Sequence, residues 1–209
     1  MNILSKLNLN PAYIYETIVT TYNPQDKMPN AAPMGIAFHN EKTVVISPYM
    51  TTQTFKNIEQ THYAVINFIY NLDSFFESAF STNRPKLPLQ RFKPSKKVPV
   101  PGLKDAFAHV EVEVSEIQKE ATRAKIIAEI KTWDVGQIPC FPINRGYNLV
   151  LESIIHVTRI VEFRDDEKLV GPLIELIRNY RTIVTKVAPE GKLVAIMAQL
   201  ENLIEKKSG

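Results

Sequence analysis

The stretch that decides the fold is Asn30–Asn57, "NAAPMGIAFHNEKTVVISPYMTTQTFKN". Two strand-like runs, Ala31–Phe38 and Thr43–Ser47, flank His39-Asn40-Glu41-Lys42, a connection with the length and composition of a hairpin. Thr51, Thr52, Gln53 and Thr54 follow, then Lys56 and Asn57. Gln53–Gln60 is expected to form a short helix, with Thr52 or Thr54 as its cap. Hydroxyls and backbone N–H groups at a helix start also suit an anion, and Lys56 would add a full charge. One cap needs one threonine, and three stand in four positions. A capping turn and an anion cradle both stay open at this point.

Working outward, Tyr13–Thr21 is rich in β-branched and aromatic residues and reads as a strand, with "YNPQDKMPN" a loop behind it. Tyr63–Tyr70 is a further strand, apolar enough to be buried on both faces. Asp73–Phe80 is expected as a short helix. Arg84–Gly102, "RPKLPLQRFKPSKKVPVPG", holds five prolines and no acidic residue. Proline removes a backbone donor and blocks regular pairing, so this is a long loop, read as a solvated basic arm. "FAHVEVEVSEIQ" then alternates apolar and polar residues, and "TRAKIIAEIKTWDV" partly repeats the pattern, which predicts an antiparallel pair. Strand after strand with only short helices predicts a β-barrel or sandwich.

The last third changes period. Val150, Ile154, Val157 and Val161 share a helical face, so Asn148–Thr158 reads as a helix, with a strand at Arg159–Phe163 as the competing reading. Gly171 and Pro172 open a second periodic run and Pro189 a third, together a helical hairpin. The expected division is a barrel domain over residues 1–165 and a helical extension over 166–209.

Composition narrows the function classes. A formal charge of +3 is too small to argue for nucleic acid, and the basic residues are mostly interspersed with acids. The basic arm is the one segment suited to a nucleic acid or phosphate, but only Phe92 interleaves it with an aromatic ring. A single cysteine, Cys140, precludes an internal disulfide and suits a reducing compartment, so a cytoplasmic location is expected. No apolar run approaches the roughly 20 residues that span a bilayer. The histidines lack metal-ligand spacing, and no Ser-His-Asp order, nucleophile elbow, P-loop or GxGxxG fingerprint is present. In "PCFPINRGYN", Asn144 and Arg145 either approach a ligand or cap a helix. Glu152, His156 and Arg159 form one polar stripe on a helix, read as a solvated ion-pair face or as an oriented acid–base histidine.

"ETIVTT", "NAAPMGIAF", "SPYMTTQTFKN", "VINF" and "INRGYNLVLESIIHVTR" occur in an order that resembles an archaeal FMN-binding split-barrel family, related to the flavin reductase-like proteins. The resemblance covers roughly Tyr13 to Phe163. It implies a mainly β fold with α, an FMN-binding split barrel followed by a C-terminal helical hairpin, and a homodimer with FMN near its interface. By the same resemblance, Ala32, Pro33, Met34 and Gly35 line the flavin ring, and Ser47, Pro48 and Tyr49 lie beside the ring or ribityl chain. Thr51, Thr52 and Thr54 hold the phosphate, and Asn144 and Arg145 approach the flavin. No catalytic residue follows from it. The implied function is that of a flavoprotein, an oxidoreductase or electron-transfer protein. The alternatives are a non-catalytic flavin-binding or partner-binding module and, behind it, an anion binder using the basic arm.

Overall fold

A computed structural model describes residues 2–83, 85–139 and 144–205, so Arg84, Cys140 and the rest of "CFPI" lie outside the described residues. The chain divides into two compact units, residues 1–71 with 81–139 and residues 72–80 with 140–209.

The first unit is a closed barrel of six strands. They are β1 (Ile14–Tyr22), β2 (Pro29–Phe38), β3 (Thr43–Ile46), β4 (Tyr63–Phe68), β7 (Ala108–Lys119) and β8 (Ala124–Val135). Their order around the barrel is β1-β2-β3-β8-β7-β4, and every neighbouring pair is antiparallel. Two short strands, β5 (Phe92–Lys93) and β6 (Gly102–Leu103), pair with each other outside it. Turn chemistry sets the first hairpins. Asn23 and Asp26 accept from the N–H groups of Gln25 and Met28, and Asn40 accepts from the N–H of Lys42 and the hydroxyl of Thr43.

Alternation fills the interior. Val19, Ile36, Val44, Ile66, Val110 and Ile126 are all at most 1% exposed and belong to one core. Helix α1 (Ile3–Leu7) adds Ile3 and Leu4 to this core, and α2 (Gln53–Thr61) adds Phe55 and Ile58. Helix α2 starts at the Thr52 cap and ends at His62, a left-handed residue (φ 61°) whose N–H donates to the Ile58 carbonyl.

The proline-rich segment is not a solvated arm. It lies on the outer face of β1, β4 and β7, where Val98 and Val100 pack on Val65. The strand at Tyr63–Phe68 is therefore buried on both faces, as its composition predicts. A polar set pins the arm down. The Glu111 carboxylate, 5% exposed, accepts from three consecutive backbone N–H groups, Lys96 (2.8 Å), Lys97 (2.6 Å) and Val98 (3.2 Å). Thr20 donates its hydroxyl to the Pro101 carbonyl (2.6 Å), and the Leu103 N–H donates to Asn67 Oδ1 (2.7 Å). His109 Nε2 lies 2.6 Å from the Leu103 carbonyl, which can only accept, so Nε2 carries the proton; burial lowers the pKa of this ring.

The second unit is helical: α3 (Leu72–Phe80), α4 (Arg145–Glu162), α5 (Glu167–Val187) and α6 (Lys192–Glu205). Helix α4 packs against the other three. Its buried stripe includes Val150, Ile154 and Val157, so the helical reading of this stretch holds and the strand reading at Arg159–Phe163 does not. The expected boundary at 165/166 differs from the observed division. The apolar stripe on α4 is buried within the helical unit, and α3, inserted in the chain after β4, belongs there as well. Helix α5 begins earlier than Gly171-Pro172 because Asp166 caps it, accepting from the Leu169 N–H; Pro172 sits inside the helix. No helix among the described residues is long and apolar enough to cross a membrane.

Candidate functional site

The site begins with a mismatch in strand pairing. Strand β2 pairs with β1 from Pro29 to Ala37 but with β3 only across Ile36–Phe38. The stretch Asn30–Gly35 therefore has one edge without a strand partner among the described residues. Ala32, Pro33, Met34 and Gly35 lie on it, all half-buried. A Cβ on Gly35 would stand 3.0 Å from Ile14 Cγ2 and 3.2 Å from Glu16 Oε1. That face of the strand is already filled, which leaves the backbone edge as the route by which a flat ligand can come close.

Beyond β3 the chain passes through Ser47, Pro48 and Tyr49 to the start of α2, and the β7–β8 turn with the first residue of β8 holds it there. Ala124 N–H donates to the Pro48 carbonyl (3.0 Å) and Met50 N–H to the Thr122 carbonyl (3.1 Å). Between these two bonds Arg123 donates from Nη1 to the Ser47 carbonyl (3.0 Å) and lays its guanidinium 3.9 Å from the Tyr49 ring centroid. Arg123 is thus a cation fixed beside the hydroxyl-rich turn. Sequence patterning missed it, because no periodicity links Arg123 to Tyr49; their bridge is a product of the barrel's closure.

The three threonines have separate jobs. Thr52 is the helix cap: its hydroxyl accepts from the Phe55 N–H (3.3 Å) and donates to the Tyr49 carbonyl (2.7 Å). Its proton is therefore committed within the chain, contrary to a role as phosphate donor. Thr54, 1% exposed, accepts from Asn30 Nδ2 (3.0 Å) and so joins the helix start to the open stretch of β2. Only Thr51 is exposed. With the Phe55 N–H on Thr52 Oγ1 and the Lys56 N–H on the Thr52 carbonyl, the Gln53 and Thr54 N–H groups have no hydrogen-bond acceptor among the described residues. Lys56 is exposed on the first turn of the helix.

Asn144 and Arg145 lie in the helical unit. Asn144 is the cap of α4, accepting from the Gly146 N–H (2.8 Å), and Arg145 is the exposed first residue of that helix. The Glu152–His156–Arg159 stripe is solvated at Arg159, half-buried at Glu152 and buried at His156. His156 is 5% exposed, stacks on Tyr180 of α5 at a centroid distance of 6.0 Å, and has no hydrogen-bond partner for either ring nitrogen. Glu152 stands 3.6 Å away, beyond hydrogen-bond reach. Burial lowers the His156 pKa, with Arg159 acting in the same sense and Glu152 against it. Among the described residues, no three His, Cys, Asp or Glu side chains cluster to hold a metal ion.

Comparison with known proteins agrees with this architecture. The family model described as "Protein of unknown function (DUF447) N-terminal domain" matches residues 15–137, and the DUF447 C-terminal model matches residues 144–199. Among solved structures, an FMN-bound DUF447 protein from Methanosarcina mazei superposes with a TM-score of 0.75 at 24% identity, over 96% of this chain and 99% of that one. Two further structures match the fold at a TM-score of 0.52 each. The 2-nitrobenzoate 2-nitroreductase of Pseudomonas fluorescens is 20% identical, over 65% of this chain and 73% of its own. A flavoredoxin from Methanosarcina acetivorans is 14% identical, over 59% of this chain and 69% of its own.

Proposed function

The chain belongs to the DUF447 family, and from that premise we propose that it is a flavoprotein holding FMN along the open edge of β2. The observation that carries this reading is the Asn30–Thr54 bond, which sets a helix start beside a strand edge that has no partner strand. A flavin has those two needs: a backbone edge that hydrogen-bonds a ring, and an electropositive cradle for a phosphate.

The residues present fit the group. Ala32 to Gly35 bring small or narrow side chains to the ring, and Ser47, Pro48 and Tyr49 continue the wall. The Gln53 and Thr54 N–H groups and the Thr51 hydroxyl face the phosphate, with Thr52 and Thr54 shaping the turn. Arg123, fixed between the Ser47 carbonyl and the Tyr49 ring, supplies a cation beside that turn; Arg145 stays a candidate through the family resemblance alone. Bound FMN would supply reversible hydride or electron transfer, and the protein's part is to orient it and tune it. An oxidoreductase or electron-transfer role is the reading that uses this chemistry. The protein acts as a homodimer, with the exposed Tyr13 and Ile14 of the barrel unit and the exposed Leu169 and Leu176 of α5 as apolar surface for a second copy.

Titration with FMN, followed by flavin absorbance, tests the reading directly. Saturable binding at micromolar or lower Kd supports it, and a free-FMN spectrum at tens of micromolar protein ends it. Bleaching of the bound flavin by NADH, NADPH or a reduced deazaflavin separates a redox protein from a flavin-binding module. Arg123→Gln and Arg145→Gln, each titrated with FMN and with riboflavin, identify the phosphate cation as the one whose loss weakens FMN alone.

A further inference from the structure

The pinned arm encloses space. Between it and the Asn23–Met28 turn lies a cleft of about 540 Å³, on the outer face of the barrel. Its floor and walls are apolar or aromatic, with Tyr22, Met28, Phe92, Val98 and Val100 among them, and Lys27 and Lys93 stand at its lining. We propose that this cleft is a binding site for a small organic anion, an apolar or aromatic body carrying a phosphate, sulfonate or carboxylate.

Three observations converge on that chemistry. The volume lies within the range of small-molecule sites, and an apolar lining with few polar groups is their usual composition. The walls are fixed, because Glu111 takes three arm N–H groups and Thr20 holds Pro101, so the cleft needs no ordering when it fills. The charges are one-sided. No lining residue is acidic, and the acids nearby are committed elsewhere: Asp105 to Arg91, Asp134 to Lys96, Glu111 to backbone and Asp26 to the Met28 N–H. Neither Lys27 nor Lys93 forms an ion pair among the described residues. Lys27 is also held at φ 55°, an uncommon conformation for a residue with a side chain, by its N–H bond to the Asn23 carbonyl (2.9 Å). Two unpaired cations over an apolar floor favour a ligand with one anionic end and one greasy end.

This inference rests on the cleft alone and not on the flavin reading, which absorbance reports separately in the same sample. The probes are naphthalene-2-sulfonate and its neutral counterpart 2-naphthol, titrated by calorimetry and by amide NMR shifts into the protein as purified, with FMN added to saturation. The sulfonate should bind roughly tenfold more tightly than the naphthol, shifting amides of 22–29 and 92–101. In Lys27→Gln/Lys93→Gln that preference should vanish while naphthol binding stays. Ser95→Trp, which fills the cleft without touching either charge, should abolish both. Equal affinity for the two probes in the native protein overturns the proposal. So does a sulfonate preference that survives the double lysine variant, or shifts confined to other parts of the barrel.

Discussion

Glu111→Gln should loosen the arm far more than its size suggests. The carboxylate takes Lys97 and Val98 on one oxygen and Lys96 on the other. A glutamine can set its carbonyl where the doubly used oxygen stood and keep two of the bonds. Its NH₂ then faces the Lys96 N–H, donor against donor. A bond to a charged acceptor contributes about 1.5–3 kcal/mol, and the two retained bonds drop to the neutral range of about 1 kcal/mol each. The total is about 3 kcal/mol, less than a simple sum because the three bonds share one side chain. Thr20, Asn67 and Arg91 still tie the arm elsewhere, so the loss should show as local opening. Trypsin reports it: the bonds after Lys96 and Lys97 should be cut about 100-fold faster in the variant, where cleavage tracks the open population. A urea melt should show a smaller loss of global stability. Cleavage within twofold of the native rate, with an unchanged melt, would refute the idea that this carboxylate holds the arm.

Gly102→Ala places a Cβ 2.8 Å from His109 Cδ2 and 3.4 Å from Asn67 Oδ1, both in the buried network, and should cost about 1–3 kcal/mol in a urea melt; a loss under about 0.5 kcal/mol would mean the network yields. Burial lowers the His156 pKa in the folded protein, while the unfolded chain titrates at about 6.5. Below that pH the unfolded state binds a proton that the native state refuses, so stability falls from there down toward the lowered native value. His156→Phe keeps the stack on Tyr180 and removes two unpartnered nitrogens, so the Tm difference between pH 7.5 and pH 5 should shrink; His109, shifted in the same direction, keeps it from vanishing. Thr52→Val removes the α2 cap and should lower stability by about 1 kcal/mol. Thr51→Val removes the exposed hydroxyl of the turn and should weaken FMN, and equal FMN titrations for native and variant would take Thr51 out of the site.

The strands were legible in the sequence wherever one face met the core. The alternation over Val110, Val112 and Val114 predicted β7, and the β-branched run at Tyr13–Thr21 predicted β1. The same alternation misled about the opposite face. His109 and Glu111 stand at the polar positions of that alternation, and nothing local says that a loop will return to cover them. The arm itself, basic and rich in proline, carries the composition of a free segment; only Glu111 and Thr20, distant in the chain, hold it. In the candidate site, the cap at Thr52 was legible because capping is a local pattern. The roles of Thr54 and Arg123 were not, since each depends on a partner brought near by barrel closure. The helix at α4 was found by its period, but period does not say which unit its stripe is buried in.

The placement of α3 has a consequence for the order in which the protein can form during synthesis. Its buried Leu72 and Phe75 belong to the helical unit, yet they leave the ribosome before the arm, β7 and β8, and long before α4 at Arg145–Glu162. At about 5–20 residues per second, the chain between Phe80 and Arg145 takes ~3–13 s to appear. During that time the barrel can close, because β8 completes it by Val135, while the apolar side of α3 waits without the helix it packs on. A nascent chain whose residues up to 139 have just cleared the ribosome should therefore be a closed barrel carrying one uncovered greasy helix, a ready target for chaperones that grasp exposed apolar segments. Any shortened version of the barrel unit would inherit the same helix unless residues 72–80 were replaced by a polar linker.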